Sequence, residues 1–206
     1  TPVRLALDRG AAETVALLRS RNGDDQSDDL LLRKPLRPGE AVLWYVFDVG
    51  WVVRTSTHLL VFDYVPARHM ALPPTVRPCL ASGEIDPAQL RDQSVLVFAS
   101  FLRDRQHRDT IFSWRKTIRR IAYVIGDRTA GDAAAIHIPP RTVQRVGDVQ
   151  VLAVPTTGYG EGFVVTADGL TIFYGGDHQG SEPLWAPFTR EIDFVRQRVP
   201  KVDVAF

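Results

Sequence analysis

The stretch most suited to chemistry is a polar turn, residues 101–108, which contains three arginines, a histidine and an aspartate. It follows Val95–Ala99, an apolar run typical of a strand buried on both faces. It precedes Asp109–Trp114, which predicts a helix with Asp109 as its N-cap. Because open α/β sheets place their chemistry at the carboxyl ends of strands, we expect the functional site at this turn.

A single cysteine, Cys79, limits the chemistry that sulfur can provide. One cysteine excludes an internal disulfide and a zinc site built from several thiolates. Cys79 could serve as a nucleophile, but a buried, inert thiol is the expected alternative.

The turn and its flanks resemble a known metal-binding segment. Leu80–Ser100, read as LASGEIDPAQLRDQSVLVFAS and followed by IFSW, is similar to the approach to the metal-binding loop of the metallo-β-lactamase superfamily. In that superfamily a strand ending in Ser or Thr leads into the motif His-x-His-x-Asp-His. Phe101, Arg103 and Gln106 stand at the positions of the three histidines. Arg105 stands at that of the aspartate. The resemblance therefore implies the superfamily's fold with a degenerate metal-binding motif.

A segment near the end of the chain resembles the same superfamily. Gly160–Gly180 is similar to the part in which a strand ends in Gly-Asp and the aspartate bridges or ligates the second metal. The resemblance makes Asp177 that aspartate, and His178 follows it directly. The preceding segment, Val154–Gly162, supplies a histidine in many members but none in this chain. Asp63 matches an aspartate at the end of the third strand; without metal ligands we expect a strand-end turn residue there, with an orienter of the site as the alternative.

The number of metal ligands decides between the catalytic interpretations. A catalytic zinc site needs about three protein ligands and an open position for water. Of the ligands that the superfamily prescribes, only Asp177 remains, so a rebuilt site would combine it with His107 and, at most, His178. Neighbouring residues on an extended segment point to opposite sides, which argues against a metal shared by Asp177 and His178. We therefore expect no metal cofactor; zinc or another divalent metal is the expectation only for a rebuilt site.

The arginines of the turn suggest a replacement for the metal. An aspartate in a cleft shaped for two divalent cations needs a compensating charge. A guanidinium pairs with a carboxylate in a bidentate way. We therefore predict that Arg103 or Arg105 forms an ion pair with Asp177. Two alternatives remain: an arginine holds a small anionic ligand, a phosphate or carboxylate, in the cleft, or the turn is simply solvated.

Residues 1–25 resemble one ankyrin repeat. The initial Thr-Pro pair, Gly10 and the Leu17-Leu18 pair match the spacing of the motif, and its second helix would run over residues 13–18. The alternative is a generic amphipathic helical hairpin. A lone repeat cannot bury its apolar face. The resemblance therefore implies either the last repeat of a truncated array or a hairpin docked on the next domain, with a protein partner bound through this region.

The rest of the chain divides into a linker and one domain. Residues 26–40 are rich in charge and proline, which predicts a linker, with Asp28-Asp29 in a solvated charge run. Residues 41–206 are expected to form the metallo-β-lactamase-like domain.

The composition is that of an ordinary soluble globular protein. The 206 residues are 45% hydrophobic and 24% charged, enough for one main domain with a substantial core. A net charge of +1 gives no reason to expect binding to nucleic acid or to an anionic membrane. No apolar run approaches the ~20 residues that span a bilayer, and no signal peptide is visible, so a cytoplasmic location is expected. The excess of arginine over lysine fits a GC-rich bacterial genome.

The pattern of elements predicts the α/β (α+β) class, as a four-layer αββα sandwich of two mixed sheets with an ankyrin-type helical hairpin at its N-terminus. The later strands are expected at 143–146, 149–154, 162–166 and 170–174, with hairpin turns at Gly147-Asp148 and Ala167–Gly169. For function we expect a non-catalytic binding or interaction module that has lost its metal ligands. The alternative is a metal-dependent hydrolase with relocated ligands that acts on an ester, amide or phosphodiester.

Overall fold

Two β-sheets packed face to face form the centre of the protein. The computed structural model describes residues 16–17, 25–46, 49–66, 78–126, 133–178 and 185–206. Within these residues the larger sheet has seven strands, in the order β1 (Ala16–Leu17), β2 (Val42–Val46), β3 (Gly50–Arg54), β4 (Leu59–Phe62), β5 (Ser94–Ala99), β6 (Arg120–Ile125) and β7 (Ala135–Ile136). The smaller sheet has five, in the order β12 (Val204–Ala205), β11 (Leu170–Tyr174), β10 (Glu161–Ala167), β9 (Val149–Pro155) and β8 (Val143–Val146).

Both sheets are mixed, as predicted. In the larger sheet β2, β3 and β4 form an antiparallel meander, and β4 to β7 are parallel. In the smaller sheet β8 to β11 are antiparallel, and β12 pairs parallel to β11. Both predicted hairpin turns are present, between Val146 and Val149 and between Ala167 and Leu170. Asp168 in the second turn has a φ of 51°, the left-handed backbone that a two-residue hairpin turn requires.

Helices cover the outer faces of both sheets, which makes four layers. They are α1 (Asp25–Arg33), α2 (Arg105–Ser113) and α3 (Trp185–Arg198). Leu32 of α1 and Ile111 of α2 join Val52 of the larger sheet in one buried cluster. Val195 of α3 joins Val164 of the smaller sheet in another. The predicted αββα arrangement is therefore confirmed. None of the described helices is both long and apolar enough to cross a bilayer.

Aromatic side chains fill the space between the sheets near one end. Phe62 and Phe98 stack with ring centroids 5.0 Å apart, and Phe62 also stacks on Tyr174 of the other sheet at 5.2 Å. Phe163 packs against Phe98 at 5.4 Å. All four rings are buried, and burying a side chain of this kind contributes on the order of 2–3 kcal/mol. The cluster holds the sheets together beneath the residues that follow β4 and β5.

Two residues of the ankyrin-like region, Ala16 and Leu17, differ from the prediction. Ala16–Leu17 pairs with β2 as a short parallel strand, where the second ankyrin helix is expected. The edge of β2 offers hydrogen-bond partners to this segment, which overrides its helical propensity. The other residues of the ankyrin-like region before residue 25 lie outside the described residues. Asp25–Arg33, most of it expected in the linker, forms α1.

Asp28 shows that α1 belongs to the folded core. The Trp44 indole donates to its Oδ1 at 2.9 Å, and the Ala81 amide donates to its Oδ2 at 2.7 Å. Burial raises the pKa of Asp28, and these hydrogen bonds oppose that change. The carboxylate ties α1 to β2 and to the 3-10 turn at Leu80–Ser82. The predicted solvated charge run is therefore wrong for Asp28, whereas Asp29 is exposed.

Candidate functional site

The carboxyl ends of β4 and β5 lie side by side because the two strands are parallel. Asp63 directly follows β4, and its carboxylate binds groups from both sheets. Its Oδ1 accepts a hydrogen bond from the Ser100 amide at 2.6 Å, and its Oδ2 accepts one from the Tyr174 hydroxyl at 2.8 Å. The φ of Asp63 is 39°, in the left-handed region that aspartate tolerates better than most residues. Asp63 therefore fixes the start of the polar turn at Ser100.

Burial changes the acidity of Asp63. Removal from solvent raises its pKa to about 6, and the hydrogen bonds from Ser100 and Tyr174 and the charge of Arg103 act in the opposite direction. The sequence leaves two interpretations open, an orienter or a strand-end turn residue. The hydrogen bonds from Ser100 and Tyr174 favour an orienter, because Asp63 uses them to position the backbone at the start of the polar turn.

Helix α2 begins at Arg105, five residues before the start predicted with Asp109 as N-cap. Asp104 is its N-cap, and the carboxylate accepts a hydrogen bond from the His107 amide at 2.7 Å. Asp109, the predicted N-cap, lies inside the helix. Either aspartate could cap a helix. With the start at Asp104, His107 becomes part of the helix and lies one turn before Ile111 on its buried face.

His107 is only 6% exposed, and both of its ring nitrogens bind backbone groups. Nε2 donates to the Tyr64 carbonyl at 2.8 Å, and Nδ1 accepts from the Arg103 amide at 3.3 Å. These two bonds select a neutral ring with its proton on Nε2. Since neither nitrogen has a lone pair to offer a metal, His107 acts as a structural histidine that ties the turn to the segment after β4.

The arginine and glutamine positions of the metal motif are exposed. Arg103 precedes α2, and Gln106 lies in its first turn. Arg105 has an 85% exposed side chain, and its Nε lies 3.6 Å from Asp109 Oδ2. With neighbouring residues of α2 it lines a shallow, open depression on the outside of the helix. Arg105 therefore pairs with Asp109 and not with Asp177, whereas the predicted ion pair of Arg103 with Asp177 stays a prediction. The early start of α2 places Arg105 one turn from Asp109 instead.

A loop of residues 156–160, called the covering loop below, binds both Asp177 and His178. The Tyr159 amide donates to Asp177 Oδ2 and the Thr157 amide to His178 Nδ1, each at 3.2 Å. The sequence predicts that two neighbouring side chains point to opposite sides, yet both reach one loop. The chain turns at Gly176, which has a φ of 71°, so the segment is no longer extended.

Two glycines let the covering loop pack closely on its surroundings. A Cβ atom on Gly158 would overlap the backbone oxygen of Asp177, and one on Gly160 would overlap the carbonyl oxygen of Ser100. Gly160 also has a φ of 70°, which disfavours any side chain. The covering loop therefore touches both halves of the predicted cleft through its backbone.

Phe101 adds a side-chain contact between the polar turn and the covering loop. The resemblance assigns it the position of the first motif histidine, and its ring packs against Tyr159 with centroids 5.8 Å apart. Tyr159 is 66% exposed, so the two rings form the rim of the cleft. The contact joins the polar turn to the same loop that binds Asp177.

His178 keeps one ring nitrogen unpaired. Because Nδ1 accepts a hydrogen bond, a neutral ring carries its proton on Nε2, which is buried and has no hydrogen-bond partner in the described part of the chain. The ring meets Phe188 of α3 edge-on, with centroids 4.9 Å apart. Burial lowers the pKa of His178, and the charges of Glu191 and Asp177 act to raise it.

The donors at this site do not fit a catalytic metal ion. With His107 bound to Tyr64, Asp177 and His178 are the two predicted candidates that remain. Over the described ranges, no group of three His, Cys, Asp or Glu side chains is arranged to hold a metal. Two donors fall short of the three or so that a catalytic zinc site uses.

Cys79 is a free thiol buried away from this site, as expected for an inert residue. Burial raises its pKa, and the charge of the nearby Asp28 adds to that effect. A thiol with a raised pKa is a poor nucleophile at neutral pH.

Tyr64, Thr157 and Tyr159 are site residues that the sequence did not predict. They act through a backbone carbonyl or a backbone amide, and side-chain patterns carry no information on such groups. The available signal was the Gly-x-Gly spacing of Gly158 and Gly160, because closely spaced glycines in a polar segment indicate close backbone approach.

Comparison with known proteins identifies the fold. No protein-family model matches the sequence, and no curated protein sequence matches it. The structure is similar to that of CmlA, a diiron β-hydroxylase from Streptomyces venezuelae, with a TM-score of 0.57 and 15% identity over 84% of this chain and 34% of CmlA. This chain thus spans about a third of the length of CmlA.

Metallo-β-lactamase fold proteins are also among the similar structures. YhfI from Bacillus subtilis has a TM-score of 0.44 and 14% identity over 71% of this chain and 64% of that one. MEM-A1, a subclass B3 metallo-β-lactamase from a soil metagenome library, has a TM-score of 0.41 and 13% identity over 85% and 80%. At these identities the likenesses concern the fold alone.

Proposed function

We propose that this chain is a metallo-β-lactamase-fold domain without a catalytic metal centre, which acts as a binding or interaction module. The state of His107 carries the proposal, since its two ring nitrogens are engaged by backbone groups of Tyr64 and Arg103. Freeing the ring for a metal would leave these backbone groups unpaired, at a cost on the order of 1–3 kcal/mol each.

The covering loop supports the same proposal from the other side of the cleft. Its Tyr159 amide binds Asp177, and its Tyr159 ring packs on Phe101. Gly160 packs on the Ser100 carbonyl. A hydrolytic site needs room for a metal-bound water and a substrate between these two sides, and the covering loop takes that position.

The proposed ligand of the module carries an acidic group. Arg103 is exposed beside the cleft, and Tyr159 is exposed at its rim. A guanidinium recognises carboxylate and phosphate oxygens, and an aromatic ring packs on an apolar body. A small anionic ligand with an apolar part suits this pair of side chains.

A hydrolase with relocated ligands is the second candidate. One observation favours it: the buried Nε2 of His178 lacks a hydrogen-bond partner among the described residues, beside a carboxylate, Asp177. A divalent metal would bind both side chains only with the ring proton moved from Nε2 to Nδ1, where it would donate to Thr157 Oγ1 in place of accepting from the Thr157 amide. Such a metal would supply a nucleophilic hydroxide to an ester, amide or phosphodiester.

Metal analysis of protein purified without chelator tests the proposal. We expect less than about 0.1 equivalent of zinc, iron or manganese per chain, against about one or two equivalents for a metallohydrolase. We also expect no rise in Tm on addition of zinc, because only a metal that binds the folded state stabilises it.

The Asp177→Asn and His178→Gln variants locate any metal that is found. A metal present in the wild type and lost from both variants would establish the second candidate and overturn the first. A metal retained by both variants is bound outside the cleft and leaves the proposal standing.

A further inference from the structure

Arg54, the last residue of β3, is a buried cation in apolar surroundings. Its side chain is 8% exposed. It lies on the helix-facing side of the larger sheet, because Val52, two residues earlier, belongs to the cluster on that side. Val42 and Leu59, its pairing partners on β2 and β4, belong to the same cluster.

No acceptor in the described part of the chain binds the guanidinium of Arg54. Its Nη1 atom is buried without a hydrogen-bond partner, and no carboxylate of the described residues forms an ion pair with it. Burial lowers the pKa of Arg54 from its ordinary value, but arginine stays protonated at neutral pH. The positive charge is therefore retained in a place that solvates it poorly.

Arg141 shows the ordinary solution to the same problem. Its Nε and Nη2 bind the two carboxylate oxygens of Glu191, a bidentate pair, although its side chain is 46% exposed. Arg54 is far less exposed, and no carboxylate in the described ranges pairs with it in this way. A buried charge that no described group compensates favours a partner supplied from outside.

We propose that Arg54 anchors a binding site for a small oxyanion, a carboxylate or phosphate group. The planar fork of N–H donors matches two oxygens of either group. The narrow exposure admits a small anion or the acidic end of a small molecule, and it excludes the folded surface of a macromolecule. Apolar walls formed by Val42 and Leu59 strengthen the attraction, because they keep water out.

This site is separate from the cleft near Asp63. Leu59, the neighbour of Arg54, begins β4, and Asp63 follows the end of the same strand. The two sites therefore lie at opposite ends of the sandwich. The site at Arg54 does not depend on the proposed function, and its failure would leave that proposal intact.

Thermal unfolding with added anions tests the site. Wild type, Arg54→Met and Arg119→Met are compared in inorganic phosphate, in acetate and in chloride, at one ionic strength. Arg119 is a matched control for the loss of one positive charge, because its side chain is 67% exposed. At saturating anion we expect a rise in Tm of about 5 °C for wild type and Arg119→Met, and none for Arg54→Met.

The two anions separate the two sources of the ligand. A rise with phosphate alone assigns a phosphate group, and a rise with acetate alone assigns a carboxylate. No rise of the wild type with either anion would overturn the proposal. An equal rise in wild type and Arg54→Met would overturn it as well, because the anion would then bind elsewhere.

The arginine Nε–Hε signals of isotope-labelled wild type give a second readout that does not need Arg54→Met to fold. The Arg54→Lys variant assigns the Arg54 signal. A saturable shift of that signal on titration with phosphate or acetate supports the site. A signal that does not move through both titrations overturns it.

Discussion

Two aspartates join the sheets at opposite ends of the sandwich, and their surroundings affect them in opposite ways. Asp63 follows β4 and reaches Tyr174 of the smaller sheet. Asp168 lies in the β10–β11 turn of the smaller sheet and reaches Thr55 and Thr57, in the turn before β4. One strand, β4, therefore separates two polar links of the same kind.

The difference lies in the hydrogen bonds that each carboxylate receives. Burial dominates at Asp63 and raises its pKa to about 6, against weaker opposition from its donors. Burial also acts to raise the pKa of Asp168, but the hydrogen bonds from Thr55, Thr57 and His58 together outweigh it and leave the pKa lowered. Burial and the supply of donors together therefore decide the direction in which the pKa of a carboxyl group between the sheets changes.

His58 and His107, the buried histidines of the described ranges, follow the same division. His58 lies between two carboxylates, with Nδ1 3.2 Å from Asp168 Oδ2 and Nε2 3.0 Å from Asp148 Oδ1. His107 lies between a carbonyl and an amide of the backbone. In both places the imidazole joins turns of the fold, and this use of both nitrogens removes each ring from chemistry.

The largest expected effect comes from Gly160→Ala, which tests how tightly the end near Asp63 is closed. The new Cβ would overlap the Ser100 carbonyl at a φ of 70°, and we expect a loss of about 4 kcal/mol or more in the free energy of unfolding. Gly147→Ala is the matched control: Gly147 has a φ of 64° but no atom within 4 Å of the new Cβ. There we expect a loss of about 1 kcal/mol. Equal losses in denaturant titrations would show that the covering loop is not packed on Ser100.

The second prediction concerns the pH dependence of stability. The pKa of Asp63 is raised from 3.8 to about 6, so its contribution to stability is fully present below about pH 4 and is lost as the pH rises to about 6. Across that range the free energy of unfolding should fall by roughly 3 kcal/mol more in wild type than in Asp63→Asn. The lowered pKa of Asp168 acts with the opposite sign, and its contribution is lost as the pH falls below 3.8.

Denaturant titrations from pH 3 to pH 7 measure both trends. The Asp63→Asn variant should lose the fall between pH 4 and pH 6 and keep the acid-induced loss below that range. If the free energy of unfolding changed with pH in the same way for Asp63→Asn and wild type, Asp63 would not have a raised pKa, and the contrast with Asp168 would be wrong.

The third prediction concerns the donors of Asp168. Asparagine tolerates the φ of 51° and keeps one acceptor, so Asp168→Asn removes the charge with little strain. We expect a loss of about 2 kcal/mol at pH 7, seen as a fall in Tm of about 5 °C. Asp148→Asn is the control, since this side chain is 78% exposed and binds His58 alone among the contacts described, with an expected loss below about 0.5 kcal/mol. Equal losses at the two positions would mean that the donors of Asp168 do not stabilise it.

Elements with strong periodicity were predictable from the sequence, and so was the layered fold. Alternation and turn chemistry predicted the hairpins at Gly147 and Asp168, because a two-residue turn with positive φ has few alternatives. The region around Asp28 was not predictable in this way. Its charge resembled a solvated run, and only the fold brings the Trp44 indole and the Ala81 amide to its carboxylate.

The candidate site divides in the same manner. The resemblance alone predicts Phe101 and Arg103 at the positions of metal ligands. The role of His107 depended on the start of α2, and two aspartates five residues apart, Asp104 and Asp109, competed for the N-cap. Tertiary burial of the helix face settled that competition. Because α2 starts at Arg105 and not after Asp109, Arg105 lies on the helix and pairs with Asp109 instead of Asp177.

The smallest expected effect is the coupling between Arg105 and Asp177, measured by a double-mutant cycle with alanine at each position. Because Arg105 is exposed beside Asp109 and Asp177 binds the Tyr159 amide, we expect a coupling energy below about 0.3 kcal/mol.

Arg141 and Glu191 provide the matched positive control, a bidentate pair with one buried partner, for which about 1–2 kcal/mol is expected. A coupling above about 1 kcal/mol between Arg105 and Asp177 would require α2 to begin later in solution, so that the arginine reaches the aspartate. His107 would then leave Tyr64, and the closed cleft on which the comparison of the two ends depends would be wrong.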